Sequence, residues 1–151
     1  MNIVLHEPEI PYNTGNIGRT CVAVGAVLHL IRPLGFHTDD KALKRAGMDY
    51  WPQLDVRYYD NFEIFLNENG KPLVYIATTK ASRLYTDARY EKNAYIMFGK
   101  ESAGIPQAIR ERYADTCIRI PMLRSQRSLN LGSACAIVLY EVLRQQGFKF
   151  V

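Results

Sequence analysis

Apolar positions along this chain recur with two different periods, and the switching between them predicts strands and helices in alternation. Residues 2–6 (NIVLH) and 27–31 (VLHLI) are short apolar runs, the signature of strands buried on both faces. Between them EPEIPYNTG reads as a turn, followed by a helix over about residues 16–24, so the chain opens with a βαβ unit. Pro33 and Gly35 close the second strand, and a short helix is expected over residues 41–46, stopped by Gly47. A brief strand at 56–58 precedes a helix capped by Asp60 or Asn61, and Gly70 and Pro72 interrupt the pattern again. Residues 73–77 (LVYIA) and 94–98 (AYIMF) read as strands, with loop or short helix between them. Pro106 opens a helix to about Tyr113. The last strand, 117–120, is ended by Pro121, and Leu131, Ala134, Cys135, Val138 and Val142 then recur at helical spacing up to a stop at Gly147. This alternation specifies an α/β fold, with a mostly parallel sheet covered by helices on both faces and one domain spanning residues 1–151. Ligands of such sheets sit beyond the carboxyl ends of the strands.

Composition narrows the chemistry. Cys21, Cys117 and Cys135 form no CxxC pair, and an odd count suits reduced thiols better than a disulfide framework. His6, His29 and His37 are scattered, so no metal site is expected. No apolar run reaches the length of a membrane span, and the chain starts on a strand pattern without a signal sequence. A cytoplasmic protein without membrane contact is therefore expected. The net charge of +4 and a pI near 9.0 permit a polyanionic partner. Arg119, Arg124 and Arg127 near the last loop, Lys41, Lys44 and Arg45, and the pair Arg110 and Arg112 together favour phosphate contacts.

Three loops carry unusual side chains. NTGNIGR, residues 13–19, lacks both GxGxxG and a GK[ST] ending, which removes support for dinucleotide and P-loop ligands. Asn13 and Asn16 can make turn or cap bonds there, and Arg19, expected on the first helical turn, can reach a phosphate bidentately. FGKESAGIP, residues 98–106, can curve tightly around a flat ligand, and its Glu101 either bonds that ligand or braces the turn. IPMLRSQRSLNL, residues 120–131, leads into the last helix, which Ser128 or Asn130 can cap. There is no Ser-His-Asp arrangement, no carboxylate pair and no thiol beside a histidine, so a reaction that depends on positioning fits best. Tyr50, Trp51 and Tyr85 are candidates for base stacking or for packing.

In this order and spacing the three loops resemble the three motifs of the SPOUT superfamily of RNA methyltransferases, the first being typical of its ribose 2′-O-methylating branch. EPEIPYNTGN, HLIRPLGF and KRAGMDY extend the similarity over almost the whole chain, to the branch acting on the tRNA wobble nucleotide. The resemblance implies transfer of methyl from S-adenosylmethionine to the ribose 2′-hydroxyl of cytidine or uridine 34, in the anticodon loop of tRNA. It also implies a C-terminal trefoil knot and a homodimer, for which Ile137, Tyr140 and Leu143 give the last helix a second apolar face. The cofactor's adenine and ribose are expected to meet backbone around Ala77, Gly99, Ile120 and Met122, with Ser128 and Leu129 nearby. Arg19 is implied as catalytic; because a guanidinium keeps its proton, its expected part is to orient a phosphate and stabilise the developing alkoxide. Asn130 is expected to position the ribose, with Ser128 and Glu101 supporting the loops. Gly132-Ser133 stands where similar proteins often have Ser-Asn. Methylation of ribosomal RNA, or RNA binding without catalysis, are the alternatives.

Overall fold

The structure, a computed structural model, describes residues 1–37 and 49–149. Its six strands are β1 (Asn2–His6), β2 (Val27–Ile31), β3 (Val56–Tyr59), β4 (Val74–Ala77), β5 (Tyr95–Phe98) and β6 (Cys117–Ile118). The helices are α1 (Pro11–Val24), α2 (Phe62–Glu68), α3 (Gln107–Arg112) and α4 (Leu131–Gln145). The strands form one sheet in the order β3-β2-β1-β5-β4-β6, and every pairing in it is parallel.

Strand parity assigns each side chain to one of two layers. Ile3, Leu5, Leu28, Leu30, Tyr75, Ile96 and Phe98 pack with Ile17 and Cys21 of α1 and with Cys135, Val138, Leu139 and Val142 of α4. Their strand neighbours Val4, Ile31, Val74, Ile76 and Met97 point the other way, onto Phe62, Phe65 and Leu66 of α2 and Ile105 before α3. Both faces are thus buried, which explains why the strands read as unbroken apolar runs. Outward progression from β1 through β2 to β3, followed by a return to β4 beyond β5, leaves β1 and β5 adjacent at the centre. Ligands of such a sheet sit beyond the strand carboxyl ends, and here the crevice is displaced from the β1–β5 junction toward β4 and β6.

Several boundaries differ from the sequence reading. Helix α1 begins at Pro11, so NTGNIGR lies within it and Arg19 falls on its third turn, not its first. Its N-cap, Ile10, has no side-chain cap bond of its own; the free amides of Glu9 and Ile10 are taken by the Glu101 carboxylate from a distant loop. Strand β6 stops at Ile118, because Arg119 bridges to Leu84 instead, accepting from the Tyr85 amide and donating to the Arg83 carbonyl. Of the two alternatives for residues 78–89, the structure takes the loop. Asn61, rather than Asp60, caps α2 through the Ile64 amide at 2.9 Å. On α4, Leu143 is buried in the core, leaving Ile137 and Tyr140 as the exposed apolar pair. The helix expected over residues 41–46, with Lys41, Lys44 and Arg45, lies outside the described residues.

Candidate active site

One cleft of about 690 Å³ opens at the carboxyl ends of β4, β5 and β6. Its floor and walls are Ala77 and Thr78 after β4, Gly99 to Ile105 after β5, and Ile118 to Ile120 with Met122 around β6. Arg127 to Leu131 closes it from the α4 side, and Ile10 and Asn13 from α1. Its size falls within the range of small-molecule sites. Among the residues expected at the site, Ala77, Gly99, Glu101, Ile120, Met122, Ser128, Leu129 and Asn130 all line this cleft. Arg19 does not line it; its side chain is exposed on α1.

The β5–α3 loop is shaped by its glycines. A Cβ at Gly99 would sit 2.1 Å from the Gly104 carbonyl carbon and 2.3 Å from the Ile105 nitrogen, so this wall closes only with glycine there. Gly104 takes a φ of 70° and its amide donates to the Lys100 carbonyl at 2.8 Å. The loop is tied to the β1–α1 segment on both sides. Ser102 donates its amide and hydroxyl to the Glu9 carboxylate at 2.8 Å each, which holds that carboxyl below the usual range. The Lys100 ammonium pairs with Glu7 at 2.9 Å, which raises the lysine.

A single run of hydrogen bonds then joins all three loops. Glu101 accepts from the Glu9 amide at 2.8 Å, the Ile10 amide at 3.3 Å and the Asn13 side-chain amide at 2.9 Å. Asn13, 5% exposed, accepts through Oδ1 from the Asn130 side-chain amide at 2.9 Å. Asn130 accepts in turn through Oδ1 from the Gly132 and Ser133 amides at 2.9 and 3.2 Å, and so caps α4. Sequence alone allows Glu101 as ligand contact or brace and Ser128 or Asn130 as cap. The geometry makes Glu101 a brace between two loops, and Asn130 the cap. Because each amide has one acceptor and one donor end, the carboxylate at one end of the run fixes the orientation of both asparagines.

Cations surround the opening. Lys80, Arg110, Arg119 and Arg127 line it, with Glu101 as its one carboxylate, and among the described residues Lys80, Arg119 and Arg127 have no ion pair. The sequence reading missed Thr78, Lys80 and Ile105 as lining residues, although a polar Thr-Thr-Lys directly after the LVYIA strand was a usable signal. Among the described residues no group of three or more His, Cys, Asp or Glu could hold a metal ion, and no helix is long and apolar enough to cross a membrane. Cys21 and Cys135 are buried free thiols, Cys21 pushed up to about 12 by desolvation, so neither offers a thiolate.

A family model described as the SpoU rRNA methylase family matches residues 1–140. A Listeria monocytogenes protein provisionally named tRNA (cytidine(34)-2′-O)-methyltransferase is 49% identical, over 97% of this chain and 89% of its own. A solved structure described as giving insight into the 2-OH methylation of C/U34 on tRNA superposes with a TM-score of 0.88 at 40% identity, covering 97% of this chain and 96% of that one. An AdoMet-bound rRNA methyltransferase from Sinorhizobium meliloti superposes with a TM-score of 0.80 at 28% identity, over 95% of this chain and 55% of that one.

Proposed function

Since the chain belongs to the SpoU methylase family, we propose that it transfers the methyl group of S-adenosylmethionine to the ribose 2′-hydroxyl of the wobble nucleotide, cytidine or uridine 34, of tRNA. The observation that carries this reading is the convergence of the three motif loops on one cleft, tied by the Glu101–Asn13–Asn130 run.

The cleft suits the cofactor. Phe98, Ile105, Ile118 and Val138 give it apolar walls, while main chain at Ala77, Gly99, Ile120 and Met122 offers the donors and acceptors that an adenine edge and a ribose need. Ser128 and Leu129 form its outer lip. The bound cofactor supplies an electrophilic methyl carried on a sulfonium.

The chain's own groups act by placement. Asn130 has one amide hydrogen left beyond its bond to Asn13, available to the substrate ribose at the cleft edge. Glu101 is a positioning residue, since its bonds run to the protein. Arg19, exposed on α1, orients the phosphate beside the target and stabilises the developing alkoxide, the hydroxyl proton passing to solvent. Lys80, Arg119 and Arg127 attract the RNA backbone, a term that weakens as salt rises.

Residues 1–151 form one such domain in this reading, with the last segment threaded as a trefoil knot. The cleft brings residues 99–105 together with 118–120, 122 and 127–131, the segments such a knot would join. The working form is a homodimer, supported by exposed Tyr12 on α1 and Ile137 and Tyr140 on α4, two helices that pack on the same face of the sheet. A cytoplasmic location follows from the choice of tRNA as substrate.

The test is transfer of labelled methyl to unmodified tRNA, with digestion and mass spectrometry to locate the product. The expected result is a 2′-O-methyl nucleoside at the wobble position, lost in Arg19→Ala. Cofactor binding with label appearing only in ribosomal RNA would overturn the proposed substrate.

A further inference from the structure

Arg19 stands on a turn of α1 that is gripped from outside the cleft. In an α-helix the Gly15 carbonyl is the acceptor for the Arg19 amide, four residues on. The Tyr50 hydroxyl donates to that same carbonyl. Directly after Tyr50, the single helical turn Trp51–Gln53 and Leu54 lie against Gly18: a Cβ there would be 3.1 Å from Leu54 Cδ2 and 3.2 Å from Trp51 Cζ3. Tyr50 and the Arg19 charge are in electrostatic contact, which partly offsets the upward push of burial on the phenol. Tyr50 does not line the cofactor cleft. Packing alone would be satisfied by a phenylalanine, whereas this ring delivers a hydroxyl to the peptide group that holds Arg19.

We propose that Tyr50 is a positioning residue for methyl transfer: its hydroxyl fixes the α1 turn that presents Arg19 to the RNA. The proposal rests on the reading of Arg19 given above. It makes the direction of the guanidinium depend on a segment far from the cofactor. A bidentate contact tolerates little angular error, so loss of the hydroxyl lowers turnover rather than cofactor affinity.

The experiment is a double-substitution cycle in the full chain, with Tyr50→Phe made in the native and Arg19→Lys backgrounds. Turnover on tRNA and S-adenosylmethionine affinity are measured for each, and fluorescence of Trp51, the one tryptophan, reports whether the grip stays seated. In the native background kcat is expected to fall about five- to tenfold, the loss expected for one hydrogen bond, with cofactor affinity unchanged. With Arg19→Lys already present, the further loss is expected to be under about twofold, because the two residues act as one unit. Gly18→Ala, which presses on Trp51 and Leu54 instead, is expected to repeat the pattern. Equal losses in both backgrounds, or undiminished turnover in Tyr50→Phe while Arg19→Lys is impaired, would overturn the role of Tyr50 and leave that of Arg19 standing. Full activity of Arg19→Lys would overturn both.

Discussion

Replacing Glu101 by glutamine tests the hydrogen-bond run at the point where charge matters most. The carboxylate faces three donors, from the Glu9 and Ile10 amides and the Asn13 side chain, and has no donor of its own. A glutamine keeps one acceptor oxygen, which can serve Asn13 and Ile10 through the Oε1 position. Its NH₂ then meets the Glu9 amide, which now has an acceptor at 2.8 Å, so donor opposes donor. The loss is one charge-assisted bond and one stranded amide, about 2 kcal/mol. For a chain of 151 residues that corresponds to a Tm lower by about 4–8 °C. Thermal unfolding followed by circular dichroism measures it directly, and calorimetric titration with S-adenosylmethionine is expected to show weaker binding, since Glu101 holds a wall of the cleft. A variant that melts with the native protein and binds the cofactor equally well would refute the reasoning, because the carboxylate could then not be what holds the two loops together.

Two further outcomes follow from other parts of the structure. Gly99→Ala is expected to reduce cofactor affinity by about tenfold or more, as the added methyl meets backbone at 2.1 Å and forces the wall outward; undiminished affinity in calorimetry would contradict the described loop. His29 is fully buried, with Nε2 facing Asn2 Oδ1 at 3.1 Å and Nδ1 facing the Tyr59 hydroxyl at 2.8 Å, and burial lowers its pKa from 6.5 to about 4. Between those values the unfolded chain binds the proton and the folded one does not, so stability is complete above 6.5 and declines as pH falls toward 4. The full difference is about 3 kcal/mol, and denaturant melts across that range are expected to lose this slope in His29→Gln.

The strands were legible because burial on both faces leaves a plain signal. NIVLH and VLHLI match β1 and β2 to the residue, and AYIMF matches β5 with one residue too many at its start. Helix α1 was not legible at its beginning, since Asn13, Thr14, Gly15 and Asn16 have weak helix propensity and read as a turn. What compensates is Pro11 at the first position and the hold of Glu101, a residue far along the chain, on the Glu9 and Ile10 amides just before the helix. Strand β6 was overextended for a similar reason: its continuation pairs with Leu84, and nothing local to residues 117–120 announces that. At the site, the three polar loops after strand ends were readable as ligand loops. Their connection through Asn13 was not, because a contact between residues 13, 101 and 130 has no periodicity to betray it. From sequence Tyr50 and Trp51 read only as aromatic residues that stack or pack, because their place against α1 depends on how the chain returns to that helix.

The walls of the cleft come from segments 88 and 117 residues apart in sequence, joined at Asn13. Contacts of such high contact order form late, after the entropy of closing long loops has been met. During synthesis the residues up to the end of β5 can collapse on their apolar strands, yet they hold only part of a cleft until Asn130 arrives and α4 docks on α1. Competence to bind a ligand is therefore acquired in the last stage of folding, and a nascent or truncated chain can carry two of the three motifs without any receptor at all.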